Sequence, residues 1–539
     1  MRWSTADYEL SDGSTVRGAT AAAMRSLDAL DPLSPDRPVE YADGNTREEL
    51  LNYLGDLRWC ESIGRCVVRG DRDMFELRDE GYLHCAVEDF LTARLLWAQD
   101  QLKRHPDERK RIGGYVSFAR RQDSAACTRS MRCSVKERLR IDVSELDTSP
   151  EHLGTEHGVM SLATGELPAD RADWLSGMNG VDEGYDTLAF KVTKRVRGEL
   201  DSTFRHIDHS YDERWDGFVD EITDGDEDKA AFLQRALGYS LYGGNPEKAT
   251  FVLWGAKRDN GKSTLMNVVK HVLGDYAGSA SSGLLLVNRF ENYTAANPVL
   301  AGLVGKRLVD VSEPPLGAEL NGAMVKKLAS GTDEISTRHL HREEFSYVPQ
   351  FTVWMHCNAL PVVRDPSAID PRHMFVIEFT RSFTAEERDL TLADRFKSPD
   401  GMYTVLTWML EGYQMYLEEG LNPPECVVRA TEAWLSVSKS WLQSFLDERC
   451  DLGSDRKCPV SEFKEAARAY CEAQGETFML RNMRNALESA GISSGRASDG
   501  SRVYKGVALL PAAKPSSKTS ESAVRFGRNV AGKPTIRLT

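Results

Sequence analysis

The sequence predicts an α/β fold: a parallel-sheet core, a mixed α+β domain before it and a winged helix-turn-helix after it. Three observations predict this. Between residues 245 and about 385, strand-like and helix-like stretches alternate, as they do when helices cross over a parallel sheet. Inside that span the β-rich apolar run "TFVLWG" (Thr250 to Gly255) leads through "AKRDNGKS" into "STLMNVVKHVLG". The last stretch spaces Leu265, Val268, Val269, Val272 and Leu273 helically and stops at Gly274, a good helix terminator. Near the C-terminus, "VSEFKEAARAYCEAQGETFMLRNMRNALESAGISSGRASDGSRVYKGVAL" reads as helix, turn, helix and hairpin.

Taken in order, residues 1–45 are polar and rich in Ala, Asp and Pro, the composition of a flexible arm. Residues 46–205 mix helical stretches, among them the amphipathic "EDFLTARLLWAQDQLKRH", with short strands. There "GVMSLATGEL" reads as a hairpin closed at Thr164-Gly165. Residues 206–385 form the core with its leading helices, and residues 386–450 a helical lid or linker. Residues 451–510 hold the winged helix, and 511–539 a disordered basic tail.

Composition narrows the function class. With 539 residues, 41% hydrophobic and 28% charged, the chain can bury several large cores. No apolar run approaches the ~20 residues a membrane span needs, and "MRWSTADYELSDGSTVRG" lacks the apolar stretch of a secretory signal, so a cytoplasmic protein is expected. Ten cysteines occur without a C-x-x-C pair, which fits reduced thiols. A net charge of −14 excludes a surface that coats nucleic acid all over, yet the balance reverses after Leu452, where a local basic module is expected.

The glycine-rich turn carries the chemistry. A phosphate-binding loop needs small residues whose backbone N–H groups face phosphate oxygens, a Lys for the β/γ-phosphates and a hydroxyl for Mg²⁺. Gly255, Ala256, Asn260, Gly261, Lys262, Ser263 and Thr264 supply these, with Ala256 standing where Gly is commoner. Strand, loop and helix follow in the order that points a helix N-terminus at the phosphates, so the chain is expected to bind ATP with Mg²⁺. Hydrolysis also needs an acid to orient water, a polar sensor and, usually, a cationic finger. "KRLVDVSEPP" offers Glu313 at a strand's C-terminal end as the base, with Asp310 as a weaker metal-side candidate beside Ser263 and Glu313. Glu313 also reads as a plain exposed strand-end residue. "FTVWMHCNALP" ends in Asn358, which is either a γ-phosphate sensor or a turn-forming Asn, and "DPRHMFVIEF" places Arg372 just before another strand, either as a residue reaching a neighbouring subunit's nucleotide or as an ordinary surface Arg.

The order "LQRALGYSLYGG … LWGAKRDNGKST … GKRLVDVSEPP … KKLASGTDEISTR … WMHCNALP … DPRHMFVIEF … WMLEGY" resembles the phage and plasmid primase-helicase family, superfamily 3 helicases within the AAA+ ATPases. The resemblance runs from about residue 50 to the winged helix. It implies an AAA+ core in which Lys262 and Ser263 contact phosphate and Mg²⁺, Glu313 is the Walker B acid, Asn358 is sensor 1, and Arg372 is a finger acting across a subunit interface. Three features depart from the family pattern: the phosphate loop has one extra residue after Gly255, Ser312 replaces a second acid, and His373 stands where a second Arg is common.

Between the Walker B strand and sensor 1, Lys326 and Lys327 end a helix, and "ISTRHLHREEFSYV" forms a hairpin carrying Arg338, His339, His341 and Arg342. The resemblance implies that this hairpin grips DNA phosphates inside a ring; physically, a cation cluster at one tip tracks a backbone without reading sequence. The alternative is a solvated basic turn balanced by Glu343 and Glu344. In the C-terminal module, Arg481 and Arg484 on the second helix and Arg496, Arg502 and Lys505 around the wing are candidates for duplex contact, favoured by a basic segment in an acidic chain; the same fold can equally be a protein-docking module.

The expectation is therefore an ATP hydrolase and replicative DNA helicase of a phage or mobile element in a bacterial host. It would act on single-stranded and forked DNA as a homo-oligomeric ring, a hexamer moving 3′→5′ by resemblance, with a separate primase or other replication proteins as partners. Two rivals stand beside it. An origin-binding initiator would need the winged helix but not Glu313, Asn358 and Arg372 together. A small-molecule kinase would leave the basic C-terminal module unexplained.

Overall fold

The structure, a computed structural model, describes residues 7–33, 43–70, 74–156, 158–162, 191–197, 210–287, 297–363, 369–437, 441–473, 487, 490–496 and 501–510. The chain divides into two compact units, residues 1–438 and 439–539.

In the first unit a short antiparallel pair, Tyr8–Glu9 with Thr15–Val16, precedes α1 (Gly18–Leu30) and α2 (Asp43–Leu54), then comes an antiparallel sheet of β1 (Arg58–Cys60), β2 (Arg65–Arg69) and β3 (Phe75–Arg78). Three helices follow: α3 (Glu80–Arg104), α4 (Arg109–Gln122) and α5 (Ala125–Arg138). Part of the expected flexible arm is thus ordered. Ala21, Ala23, Met24 and Leu27 of α1 are buried in a core shared with Leu83, Val87 and Phe90 of α3, and Trp97 Nε1 donates to Asp28 at 2.7 Å. Apolar residues at helical spacing, held by a buried indole bond, outweigh the polar average of the segment. Next comes the hairpin of β4 (His152–Thr155) and β5 (Gly158–Ser161), with His152 opposite Ser161. "GVMS" therefore pairs with the strand before it; the expected closure at Thr164-Gly165 lies outside the described residues.

The core proper begins with α6 (Ser210–Thr223) and α7 (Glu227–Tyr239), followed by β6 (Thr250–Trp254), α8 (Lys262–Leu273), β7 (Ala277–Ala280) and β8 (Leu308–Val311). Then come α9 (Gly322–Ala329), β9 (Ile335–Thr337), β10 (Phe345–Tyr347), β11 (Thr352–Cys357), β12 (Met374–Glu378), α10 (Pro399–Glu419) and α11 (Glu425–Val437). Strands β12–β6–β11–β8–β7, in that order, form one parallel sheet. Alternate residues feed two cores. Phe251, Leu253, Trp354, Phe375 and Ile377 pack with α6, α7, α8 and α10, while Val252, Val309, Val353, Met355 and Val376 pack on the opposite face. Among the described residues no helix is long and apolar enough to cross a membrane.

Helices α7 and α10 cross at Gly238 and Gly412. A Cβ on Gly238 would lie 2.2 Å from the Tyr413 amide nitrogen, and one on Gly412 would lie 2.1 Å from the Gln234 carbonyl oxygen. The crossing is a backbone-to-backbone contact that only glycine permits.

The second unit contains α12 (Trp441–Arg449), β13 (Cys450–Pro459), α13 (Val460–Ala473), β14 (Ser493–Arg496) and β15 (Arg502–Leu509), with the strands antiparallel in the order β13–β15–β14. Leu442, Phe445 and Leu446 of α12 pack on Phe463 and Ala467 of α13 and on Val507. Grouped by its sequence with the preceding lid, α12 belongs instead to this core. Arg481 and Arg484 lie outside the described residues, as does most of the expected second helix.

Candidate functional site

The parallel register brings the C-terminal ends of β6, β11 and β12 level, with Trp254 beside Cys357 on one side and Glu378 on the other. Backbone and side chains that follow these strands converge there, at the edge where open α/β sheets collect ligands. Residues 255–261 form the loop. Gly261 caps α8 with φ +84°, and a Cβ there would meet Ile222 Cγ2 at 2.4 Å, so conformation and packing both demand glycine. Gly255 is constrained by packing alone, because a Cβ would meet the Asn260 side-chain nitrogen at 2.2 Å and the Phe379 carbonyl oxygen at 2.8 Å. Asn260 Nδ2 donates to the Lys257 carbonyl at 2.8 Å and closes the loop on itself, leaving Ala256 exposed on its outside.

Lys262 is 4% exposed, and its Nζ donates to the Gly255 carbonyl at 3.2 Å and to Asn358 Oδ1 at 3.3 Å. Asn358 N in turn donates to Glu313 Oε1 at 3.1 Å, so Lys262, Asn358 and Glu313 form one chain of contacts. A cavity of about 240 Å³ opens here, lined by Arg258, Asp259, Asn260, Lys262, Ser263, Glu313, His356, Cys357 and Asn358. Burial holds the Lys262 ammonium below its ordinary value, opposed by Cys357 and the Glu313 carboxylate. Burial also pushes the Cys357 thiol up to about 12, keeping it neutral beside the lysine.

Among the described residues Lys262 has no ion-pair partner; neutral oxygens surround it at the N-terminus of a helix. A buried cation so placed fits an anionic ligand such as a nucleotide phosphate. The exposed Ser263 hydroxyl and Glu313 carboxylate supply the hard oxygen donors that suit Mg²⁺. Thr264 is half-buried one position further along α8.

Asp310 occupies a different place from the metal-side role expected of it. Its carboxylate is 4% exposed and does not line the cavity; Oδ2 accepts from Lys270 on α8 at 2.5 Å, and Oδ1 lies 2.8 Å from His356 Nδ1. Burial alone would raise its pKa, but the bonds from His356 and Lys270 outweigh this and lower it. With both oxygens engaged inside the protein, Asp310 acts as a tie between elements. His356, which sequence reasoning passed over, lines the cavity; it shares a strand face with Asn358 two residues on, and that alternation was the available signal. Arg388 was also passed over. It pairs with Asp259 of the loop at 2.6 Å, while Phe383 N donates to the Asp259 carbonyl at 2.7 Å, so the segment after β12 braces the loop from outside.

Arg372 lies at the other end of the sheet. It precedes β12, whose first residue Met374 is level with Thr250, and the loop begins only after Trp254, roughly 13 Å further along the strand direction. Its guanidinium is 83% exposed and bonds Asp370 at 2.7 Å.

Strands β9 and β10 pair as the expected hairpin, with Arg338, His341 and Arg342 exposed and His341 at φ +60°. The His339 ring lies 5.9 Å from the Phe345 ring, half-buried, and burial lowers its pKa, with Arg342 adding to the effect. The tip meets the N-terminal elements: a Cβ on Gly64 would fall 2.3 Å from Arg342 Cζ, and Glu343 lies 3.6 Å from Arg140. Lys326 and Lys327 are exposed in the last turn of α9, where cations complement the helix dipole. In the second unit Arg496 and Arg502 sit directly opposite one another on β14 and β15, and Lys505 lies over Gly495; all three cations are exposed.

No protein-family model matches the chain. It is similar to viral proteins that each carry the name "Putative helicase". With one from Acanthamoeba polyphaga mimivirus it shares 28% identity over 303 residues, which is 53% of this chain and 29% of the relative. With one from Sputnik virophage the identity is 27% over 195 residues (34% and 25%), and with one from Frog virus 3 it is 27% over 201 residues (34% and 20%). The chain therefore spans less than a third of the length of these relatives. Among solved structures, an apo form of the NrS-1 C-terminal region is 12% identical, with a TM-score of 0.37 over 55% of this chain and 75% of that one.

Proposed function

We propose that the chain is an ATP-dependent DNA helicase of a virus or mobile element, built on an AAA+ core of the superfamily 3 type and working as a ring of copies, a hexamer that translocates 3′→5′ on single-stranded DNA. The observation that supports it best is the connected set Lys262, Asn358 and Glu313 around one cavity at the C-terminal edge of a parallel sheet. The names of the viral relatives favour the same reading.

In this reading Lys262 and the loop N–H groups hold the β- and γ-phosphates, and Ser263 with Glu313 would hold Mg²⁺, which neutralises charge on the phosphates when bound. Glu313 orients the attacking water, and Asn358, which already bridges Lys262 and Glu313, reports the γ-phosphate between them. Arg372 completes a neighbour's site. Arg338, His339, His341 and Arg342, with Lys326 and Lys327 behind them, grip the translocating strand. The second unit serves as a winged helix in which Arg496, Arg502 and Lys505, with Arg481 and Arg484, contact duplex DNA.

ATP turnover with and without single-stranded DNA tests the proposal. Stimulation by DNA that disappears in Glu313→Gln is the expected result. Nucleotide binding without DNA-stimulated turnover would replace this reading with that of an initiator that does not unwind.

A further inference from the structure

Residues 103–140 hold twelve Lys and Arg against four Asp and Glu, in a chain whose net charge is −14. Several of these cations are neutralised within the protein: Lys103 by Asp12, Arg104 by Asp100, Arg111 by Glu108, Arg132 and Lys136 by Glu80, and Arg140 by Glu343. Four on α4 are not. Among the described residues Arg109, Lys110, Arg120 and Arg121 are exposed and make no ion pair.

Helical geometry puts these four in one arc, roughly 120° wide, with Gly113 and Ser117 between them. The opposite arc, Ile112, Tyr115, Val116, Phe118, Ala119 and Gln122, is buried. An ordinary solvated helix face mixes both signs of charge, whereas "RKRIGGYVSFARRQ" contains no acid at all. Its cationic first turn opposes the helix dipole, and the adjacent cation pairs repel one another.

Gly113 adds a second, independent irregularity. A glycine inside a helix costs about 1 kcal/mol relative to Ala. Nothing within the chain requires one here: a Cβ would meet no atom within 4 Å, and the backbone is not in the left-handed region. A bare backbone at the middle of an outward face is explained by something outside that approaches closely.

We propose that the outward face of α4 binds the phosphodiester backbone of DNA. Arg109 and Lys110 at one end and Arg120 and Arg121 at the other are separated by about eleven residues, or ~16 Å along the helix. That span exceeds the ~12 Å width of a major groove, so the two pairs can reach phosphates on both sides of one while Gly113 and Ser117 face it. The contacts assigned to these cations are to phosphates, which carry no sequence information, so binding is independent of sequence. None of these residues lines the nucleotide cavity or belongs to the β9–β10 hairpin.

The test uses the full chain without nucleotide. Fluorescence anisotropy with a labelled duplex and a labelled single strand is followed from about 50 to 200 mM salt, the range in which phosphate contacts show most clearly. Combined substitution Arg109→Ala, Lys110→Ala, Arg120→Ala and Arg121→Ala should lower the slope of log K against log salt by roughly 3–4 on duplex and about 3 on single strands. The arm that shows the change identifies the form of DNA bound. Gly113→Glu, which the open space within the chain accommodates, should weaken binding without removing any cation, and Gly113→Ala should weaken it by less. Basal ATP turnover, measured in parallel, should stay unchanged, so a failed helicase reading leaves this result interpretable. Unchanged slopes on both DNAs in the quadruple variant, or unaltered binding by Gly113→Glu, would overturn the proposal.

Discussion

Asp310 is 4% exposed and bonds Lys270 on α8 and His356 on β11, so one carboxylate on β8 joins the helix after the phosphate loop to the strand that ends in Asn358. Its folded pKa lies below the ordinary carboxylate value, so its contribution to stability is complete above about pH 4 and is lost as pH falls through the lowered folded value. Asp310→Asn leaves a lysine without its charge partner and should cost about 3 kcal/mol at neutral pH. Chemical denaturation at pH 7 and at acid pH should show that gap narrowing as wild type becomes protonated; a gap that persists in acid would mean the loss is not electrostatic. In the cavity, Lys262→Ala should abolish nucleotide binding, while Glu313→Gln should retain binding and stop hydrolysis, as read by equilibrium binding and single-turnover assays. Glu313 and Asn358 were legible as candidates because each stands just past an apolar strand, and Lys262 and Ser263 because strand, glycine-rich loop and helix follow one another in the sequence. The Asp310 tie was not, since its partners lie 40 and 46 residues away on other elements.

At the scale of elements, the crossing of α7 and α10 through Gly238 and Gly412 holds one layer of the core close to the sheet. Gly412→Ala should improve helix propensity by about 1 kcal/mol yet destabilise the chain by about 2 kcal/mol net, because backbone atoms must separate. Thermal unfolding of Gly412→Ala checks this, and a stabilised variant would show that the helices can part freely. The hairpin calls for a functional measurement. Arg338→Ala with Arg342→Ala should spare basal ATP turnover but remove its stimulation by DNA; unwinding at the normal rate would place the strand grip elsewhere. Strand and helix existence in the core followed from periodicity, which is local. Pairing partners did not: β5 turned back onto β4 because its register is set by a strand that precedes it, and α1 hid in a polar segment whose few apolar residues share one face.

For the whole molecule, the distance between Arg372 and its own phosphate loop matters most, because a guanidinium at the opposite end of the sheet cannot serve the cavity of the chain that carries it. Arg372→Ala should still bind ATP and assemble, yet lose about 10³-fold or more in turnover, the scale of a finger's contribution. Mixing it with Lys262→Ala should restore part of the activity, since some interfaces then pair an intact loop with an intact finger. No recovery in rings verified to be mixed would remove the trans finger. On the proposed reading, in which the two halves of the catalyst sit on separate copies, the enzyme obeys mass action before it obeys substrate supply. Its specific activity would rise with the amount of chain and fall silent on dilution, so a cell holding a handful of copies would carry an ATPase that consumes almost nothing until enough of it has gathered in one place.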